Sequence, residues 1–190
     1  WFEARACKNS GARTMARGNV SNTGLMMARL CYDLLMEKGR DALAAVERHE
    51  VTPALEDVVE ATIYLSGLGF ENGGLAAAHA VNDGFAQEPQ AHGMYHGEKV
   101  AFGTLVQLVL EKAPQEELEQ VLAFLRDTGL PLTLAQLGVK EIVPETLKKV
   151  AEAAVVPTQS TKNLRADITA QEVYDAILEA DRIGRDYLAR

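Results

Sequence analysis

Thr52-Pro53-Ala54-Leu55-Glu56-Asp57-Val58-Val59-Glu60-Ala61-Thr62-Ile63-Tyr64-Leu65-Ser66-Gly67-Leu68-Gly69-Phe70-Glu71-Asn72-Gly73 is the stretch whose reading separates a helical chain from an α/β one. Thr52 followed by Pro53 is a helix start signal, a capping hydroxyl before a proline at the first helical position. Leu55, Val58, Val59, Thr62, Ile63 and Leu65 then recur at spacings of three and four, the period of a helix with one buried face. Gly67, Gly69 and Gly73 superficially suggest a dinucleotide-binding fingerprint. They follow a helix instead of a strand, however, and the third glycine comes one residue late, so a phosphate loop is excluded here. The glycines are expected to end one helix and to let the next pack closely.

The same period extends outward in both directions. Residues 1–15 read as helix entered without a cap, 19–38 as helix with Leu25, Ala28, Cys31, Leu34 and Leu35 on one stripe, and 41–49 as its continuation after a break at Gly39. Downstream, helices are expected over 75–85, 96–113, from Pro114 to about Gly129, and over 144–155, with a loop over 156–168. The last helix opens on Thr169 and Glu172, a capping box, and carries Val173, Ile177, Ala180 and Tyr187 down one side. No strand alternation, hairpin turn or 30–45-residue repeat is visible. The expectation is an all-α multi-helix bundle of roughly seven to nine helices, a single helical domain over residues 1–190.

Composition narrows the function classes. The 190 residues are 47% hydrophobic and 24% charged, ordinary values for a folded soluble domain. A formal charge of −8 argues against nucleic acid or an anionic membrane as partner. The apolar run near 100–110 is too short to span a bilayer and is interrupted by Thr104 and Gln107. Cys7 and Cys31 have no ligand-like or CxxC spacing, and a reducing cytoplasm is the default. No signal peptide is visible. A chain opening on Trp1-Phe2-Glu3 instead of Met is expected to be a piece of something longer.

Of the four histidines, His49 and His92 lie in polar stretches and read as solvated surface residues. His79 lies in Gly73-Gly74-Leu75-Ala76-Ala77-Ala78-His79-Ala80-Val81, a helix so rich in alanine that neighbouring backbones can approach it closely. Its imidazole is either a core group satisfied by a carbonyl or a ligand. His96 opens the next helix in Tyr95-His96-Gly97-Glu98-Lys99-Val100, where the positive end of the helix dipole disfavours imidazolium. It is either a surface or capping residue or, in the neutral form, a metal ligand. The two lie 17 residues apart, so a helix–loop–helix hairpin could bring them together. Two histidines alone do not complete a zinc site, which takes at least three protein ligands.

These motifs are familiar as a set. Residues 65–71 (Leu-Ser-Gly-Leu-Gly-Phe-Glu), 73–81 and 95–103 closely resemble the bacterial glycerol dehydrogenase family of the metal-dependent, iron-type alcohol dehydrogenase superfamily, and so do 1–7, 30–33, 51–56 and 129–137. The resemblance implies the C-terminal helical domain of an enzyme whose N-terminal α/β domain binds NAD. It implies a zinc ion, or another divalent metal, held by one aspartate and two histidines. The histidines correspond to His79 and His96, while the aspartate falls upstream of the Trp1 motif and has no counterpart here. Phe70 corresponds to a residue lining the glycerol pocket. No catalytic residue beyond the metal ligands and no cofactor-binding residue of this chain is assigned. Two departures stand out: Asn82-Asp83-Gly84 replaces the family's His-Asn-Gly, and residues 161–165 read differently.

The implied reaction is NAD-dependent oxidation of glycerol or a similar vicinal diol to dihydroxyacetone, in a cytoplasmic homo-oligomer, with the isolated 190-residue chain inactive. A lyase of the dehydroquinate-synthase type and a non-catalytic helical binding or oligomerisation module are the alternatives. The lyase's basic phosphate-binding cluster is not evident.

Overall fold

A computed structural model describes residues 1–190, which form helices and loops without a β-strand; the single isolated bridge pairs Arg13 with Asn19. The all-α expectation holds. No helix is long and apolar enough to cross a membrane. The chain divides into two compact units, Trp1–Leu75 and Ala76–Arg190.

The first unit contains α1 (Phe2–Ser10), α2 (Asn22–Glu47), α3 (Pro53–Glu60) and α4 (Ser66–Gly73), with one π-helical segment, Ala61–Leu65, joining α3 to α4 without a break. Thr52 caps α3 as expected, its hydroxyl accepting from the Leu55 N–H at 3.3 Å ahead of Pro53. Three sequence expectations need correction. The first helix stops at Ser10, short of residue 15, because Gly11 takes a left-handed conformation (φ 72°) and its N–H turns back to the Cys7 carbonyl. The second helix begins at Asn22, where the Ser21 hydroxyl accepts from the Gly24 N–H, and runs unbroken through Gly39 to Glu47. Gly67 and Gly69 lie inside a helix; the break comes at Gly74, where φ is 84°.

What these glycines do is visible in their neighbours. A Cβ on Gly69 would stand 3.3 Å from the Ala28 backbone on α2, and one on Gly73 would stand 2.7 Å from the Ala4 side chain on α1. The buried core of this unit is correspondingly made mostly of small residues, Ala4, Ala6, Cys7, Ala28, Ala42, Ala45 and Ala61, with Val20 beside them and Phe2 as its one buried aromatic ring.

The second unit contains α5 (Ala77–Gly84), α6 (His96–Glu111), α7 (Gln115–Asp127), α8 (Pro144–Ala154) and α9 (Ala170–Leu188), with 3₁₀ turns at Phe85–Gln87, Pro89–Ala91 and Ser160–Asn163. The short helix α5 is central, packed between α6 and α8, and both of those also pack on α9. It is gripped hard. Gly84 faces the Val150 carbonyl of α8, and Gly103 of α6 faces the Ala78 carbonyl, each so closely that a Cβ would fall under 3.0 Å from the oxygen. Around it lie larger apolar side chains, Phe85, Phe102, Leu105, Leu108, Leu147, Val150 and Ile177 among them. The capping box of α9 is present as expected, with Glu172 accepting from the Thr169 N–H at 2.9 Å and the Thr169 hydroxyl accepting from the Glu172 N–H at 3.2 Å. The 130s loop is tied to α9 by Asp181, a buried carboxylate that accepts from the Leu134 N–H at 2.8 Å.

Candidate functional site

The alanine run before His79 gives α5 no capping side chain of its own: its N-cap is Ala76. The first-turn N–H groups of a helix need partners from elsewhere. One comes from α6. The fully buried Gln107 accepts from the Ala78 N–H through Oε1 at 3.0 Å, while its Nε2 donates to Glu111 at 2.8 Å. The Ala76 carbonyl accepts from the Ser160 hydroxyl at 2.6 Å. The backbone leading into His79 is thus held at Ala78 by α6 and at Ala76 by the Ser160 turn.

Between α5 and α6 the chain makes a tight connection. The buried Glu88 accepts from the Gln90 N–H at 3.0 Å, Gln90 donates to the Glu141 carbonyl at 2.8 Å, and the His92 ring donates through Nε2 to the Ala86 carbonyl at 3.0 Å. His92 is exposed, and so is His49, which sits in a left-handed turn position (φ 56°). The exposure of both is in keeping with the surface reading.

His96 is the first residue of α6, exposed, and the Glu98 carboxylate accepts from the preceding Tyr95 N–H at 2.7 Å. His79 is half-buried on α5. The two imidazoles lie with ring centres 5.4 Å apart and planes inclined by 45°. A zinc–nitrogen bond of 2.0–2.1 Å puts each ring centre roughly 3.2 Å from the ion, so two rings at the tetrahedral angle stand about 5.2 Å apart. The donor chemistry and the spacing therefore fit a shared divalent metal. No group of three or more His, Cys, Asp and Glu side chains is assembled as a ligand set. The two imidazoles could fill two positions of such a shell.

Phe70 is carried by the first unit, on α4, with 45% of its surface exposed beside the close-packed Gly69. Asn82, one turn after His79, is buried; its Nδ2 donates to Asp83 at 3.0 Å, and its Oδ1 has no hydrogen-bond partner. Gln107 and Ser160, which bond to the backbone ahead of His79, are not singled out by the sequence as site residues. Gln107 had left a signal, as a polar residue interrupting the apolar run of α6. Ser160 had left none in the 156–168 loop.

No protein-family model matches the chain. Among curated relatives it is 56% identical over 188 residues to a glycerol dehydrogenase of Escherichia coli O6:H1, covering 99% of this chain and 51% of that protein. Among solved structures it is similar to a probable glycerol dehydrogenase from Sinorhizobium meliloti (TM-score 0.93, 42% identity, 98% of this chain and 52% of that one). It is also similar to a glycerol dehydrogenase from Schizosaccharomyces pombe (TM-score 0.94, 39% identity, 98% and 48%). The chain spans about half the length of the curated relatives it matches.

Proposed function

We propose, from homology to glycerol dehydrogenases along its whole length, that this chain is the helical, metal- and substrate-binding half of an NAD-dependent glycerol dehydrogenase. Both compact units, residues 1–190, are assigned to that half. The nicotinamide cofactor and the remaining metal ligand belong to parts of the enzyme outside this chain. The reaction is removal of a hydride and a proton from a secondary alcohol of glycerol, or of a similar vicinal diol, to give the hydroxyketone.

The observation that carries this reading is the His79–His96 pair at 5.4 Å between ring centres. Both imidazoles would ligate in the neutral form. A zinc ion bound there supplies Lewis acidity that lowers the pKa of a substrate hydroxyl. The protein's own part is to hold the two imidazoles at a fixed separation on α5 and α6, and to offer an apolar wall to the carbon skeleton. We assign that wall to Phe70. The proposed setting is a cytoplasmic homo-oligomer. Exposed Met26, Val51, Ile63 and Tyr64 on the first unit supply apolar surface for assembly, each more than 60% accessible.

The test is metal content and turnover in the intact enzyme. His79→Ala and His96→Ala should each lose bound metal and glycerol-dependent NADH formation together, while the wild-type 190-residue chain alone shows no turnover. Full activity and metal content in either variant would move the metal away from this pair.

A further inference from the structure

We propose that Gln107 is a positioning residue for the histidine pair, setting where His79 stands relative to the helix that carries His96. The inference rests on the reading of those two histidines as metal ligands and goes on to ask what holds them at their spacing.

Three observations converge on the peptide next to His79. First, α5 begins after an alanine that cannot cap it, so the Ala78 N–H has no acceptor within its own helix. Second, Gln107 fills that role from 29 residues away, and its side chain is fully buried, so no water substitutes for it. The Gln107 amide is also fixed in orientation: Glu111 takes its Nε2 hydrogens at 2.8 Å, which leaves Oε1 facing Ala78. Third, the Ala78 carbonyl sits against Gly103, one helical turn before Gln107, where any side chain would intrude. Residue 78 is therefore held by α6 at both ends, its N–H by an acceptor and its C=O by a gap. His79 follows it directly in the chain, and His96 opens the same α6. The clamp and one ligand share a rigid helix; the other ligand is attached to the clamped residue.

Groups that orient metal ligands without touching the metal typically change affinity by about 10–100-fold when removed. A plain structural cap behaves differently, lowering the melting temperature and leaving the affinity of the folded protein alone. Zinc is the probe, titrated calorimetrically into the metal-free intact enzyme, which carries the complete ligand set, at a temperature where circular dichroism shows each variant fully folded. Gln107→Met keeps the shape and removes the acceptor; it should weaken zinc binding roughly tenfold or more. Gln107→Glu sets two carboxylates against each other and should weaken it as well. The exchange Gln107→Glu with Glu111→Gln restores both hydrogen bonds with the charge unchanged, because the carboxylate at 107 accepts from Ala78 and from the new amide. It should recover most of the wild-type affinity.

His79→Ala separates the two levels of the argument. If it leaves zinc binding intact, the ligand reading fails. If it abolishes binding while Gln107→Met binds zinc as the wild type does, the ligands stand and the positioning role is overturned. Should Gln107→Met not fold, the comparison of Gln107→Glu with the exchanged pair decides: equal affinities for the two overturn the proposal.

Discussion

Gly103→Ala tests the close approach of α5 and α6 with a single methyl group. The added Cβ would stand under 3.0 Å from the Ala78 carbonyl oxygen, 3.1 Å from its carbon and 3.3 Å from its Cα, all backbone atoms that cannot rotate aside. Reaching ordinary contact at 3.4 Å requires the two helices to part by about 1 Å. Because α5 is also pressed against the Val150 carbonyl at Gly84, it has no free side to move toward. Overpacking of this kind costs about 1–3 kcal/mol. Replacing glycine by alanine inside a helix returns about 0.5–1 kcal/mol, because the unfolded chain loses less freedom. The net loss is about 0–2.5 kcal/mol, or up to roughly 10 °C in melting temperature for a chain of this size. Gly67→Ala is the matched control: also helical, with nothing within 4 Å of its would-be Cβ, it should gain about 0.5–1 kcal/mol. Thermal melts by circular dichroism of the two variants beside the wild type measure both signs. A rise for Gly103→Ala equal to that for Gly67→Ala would mean that the two helices do not run this close, and the clamp on Ala78 would lose one of its two ends.

Three further outcomes follow from individual groups. Glu172 is held below the ordinary carboxylate range by the Thr169 N–H, then by Arg165, then by the Thr169 hydroxyl. Its stabilising effect is thus complete above the unfolded value near 4.5 and fades as pH falls through the lower folded value. The difference in melting temperature between wild type and Glu172→Gln should be present at pH 6 and shrink progressively below pH 4.5; a constant difference down to pH 2 would contradict the assignment. Thr169→Ala removes the hydroxyl that caps the Glu172 N–H and should cost about 1 kcal/mol, read from urea midpoints. Burial pushes the Cys7 thiol up to about 12, so in a Cys31→Ala background a disulfide reagent at pH 8 should label it only as fast as the protein opens. Labelling at the rate of the urea-unfolded chain would place Cys7 on the surface.

What the sequence disclosed about this fold was local, and what it concealed was contact. Thr52-Pro53 and the Thr169–Glu172 box are complete within four residues, so their hydrogen bonds could be read from spacing alone. Gly39 was mistaken for a break because glycine's helix penalty, only about 1 kcal/mol, is visible in the sequence, whereas the packing of a 26-residue helix that overrides it is not. Gly67, Gly69 and Gly73 look alike in the chain and differ in the fold: one meets open space, one the Ala28 backbone, one the Ala4 side chain.

The candidate site divides in the same way. The hairpin that could join His79 to His96 was legible from their separation. The reason α5 is built of alanine and begins without a cap was not, since the acceptor that completes it lies on the partner helix. A polar side chain in an apolar helical run is costly to bury unless something across the interface needs it. Gln107 is therefore the point at which the sequence pattern breaks its own rule, and the Ala78 N–H is the group that makes the exception stable. In a helix hairpin carrying one ligand on each arm, the residue to look for is this kind of interruption. The ligand spacing depends on the relative register of the arms, and apolar packing alone leaves that register free to slide. A directional bond from one arm to the backbone beside the other arm's ligand removes that freedom.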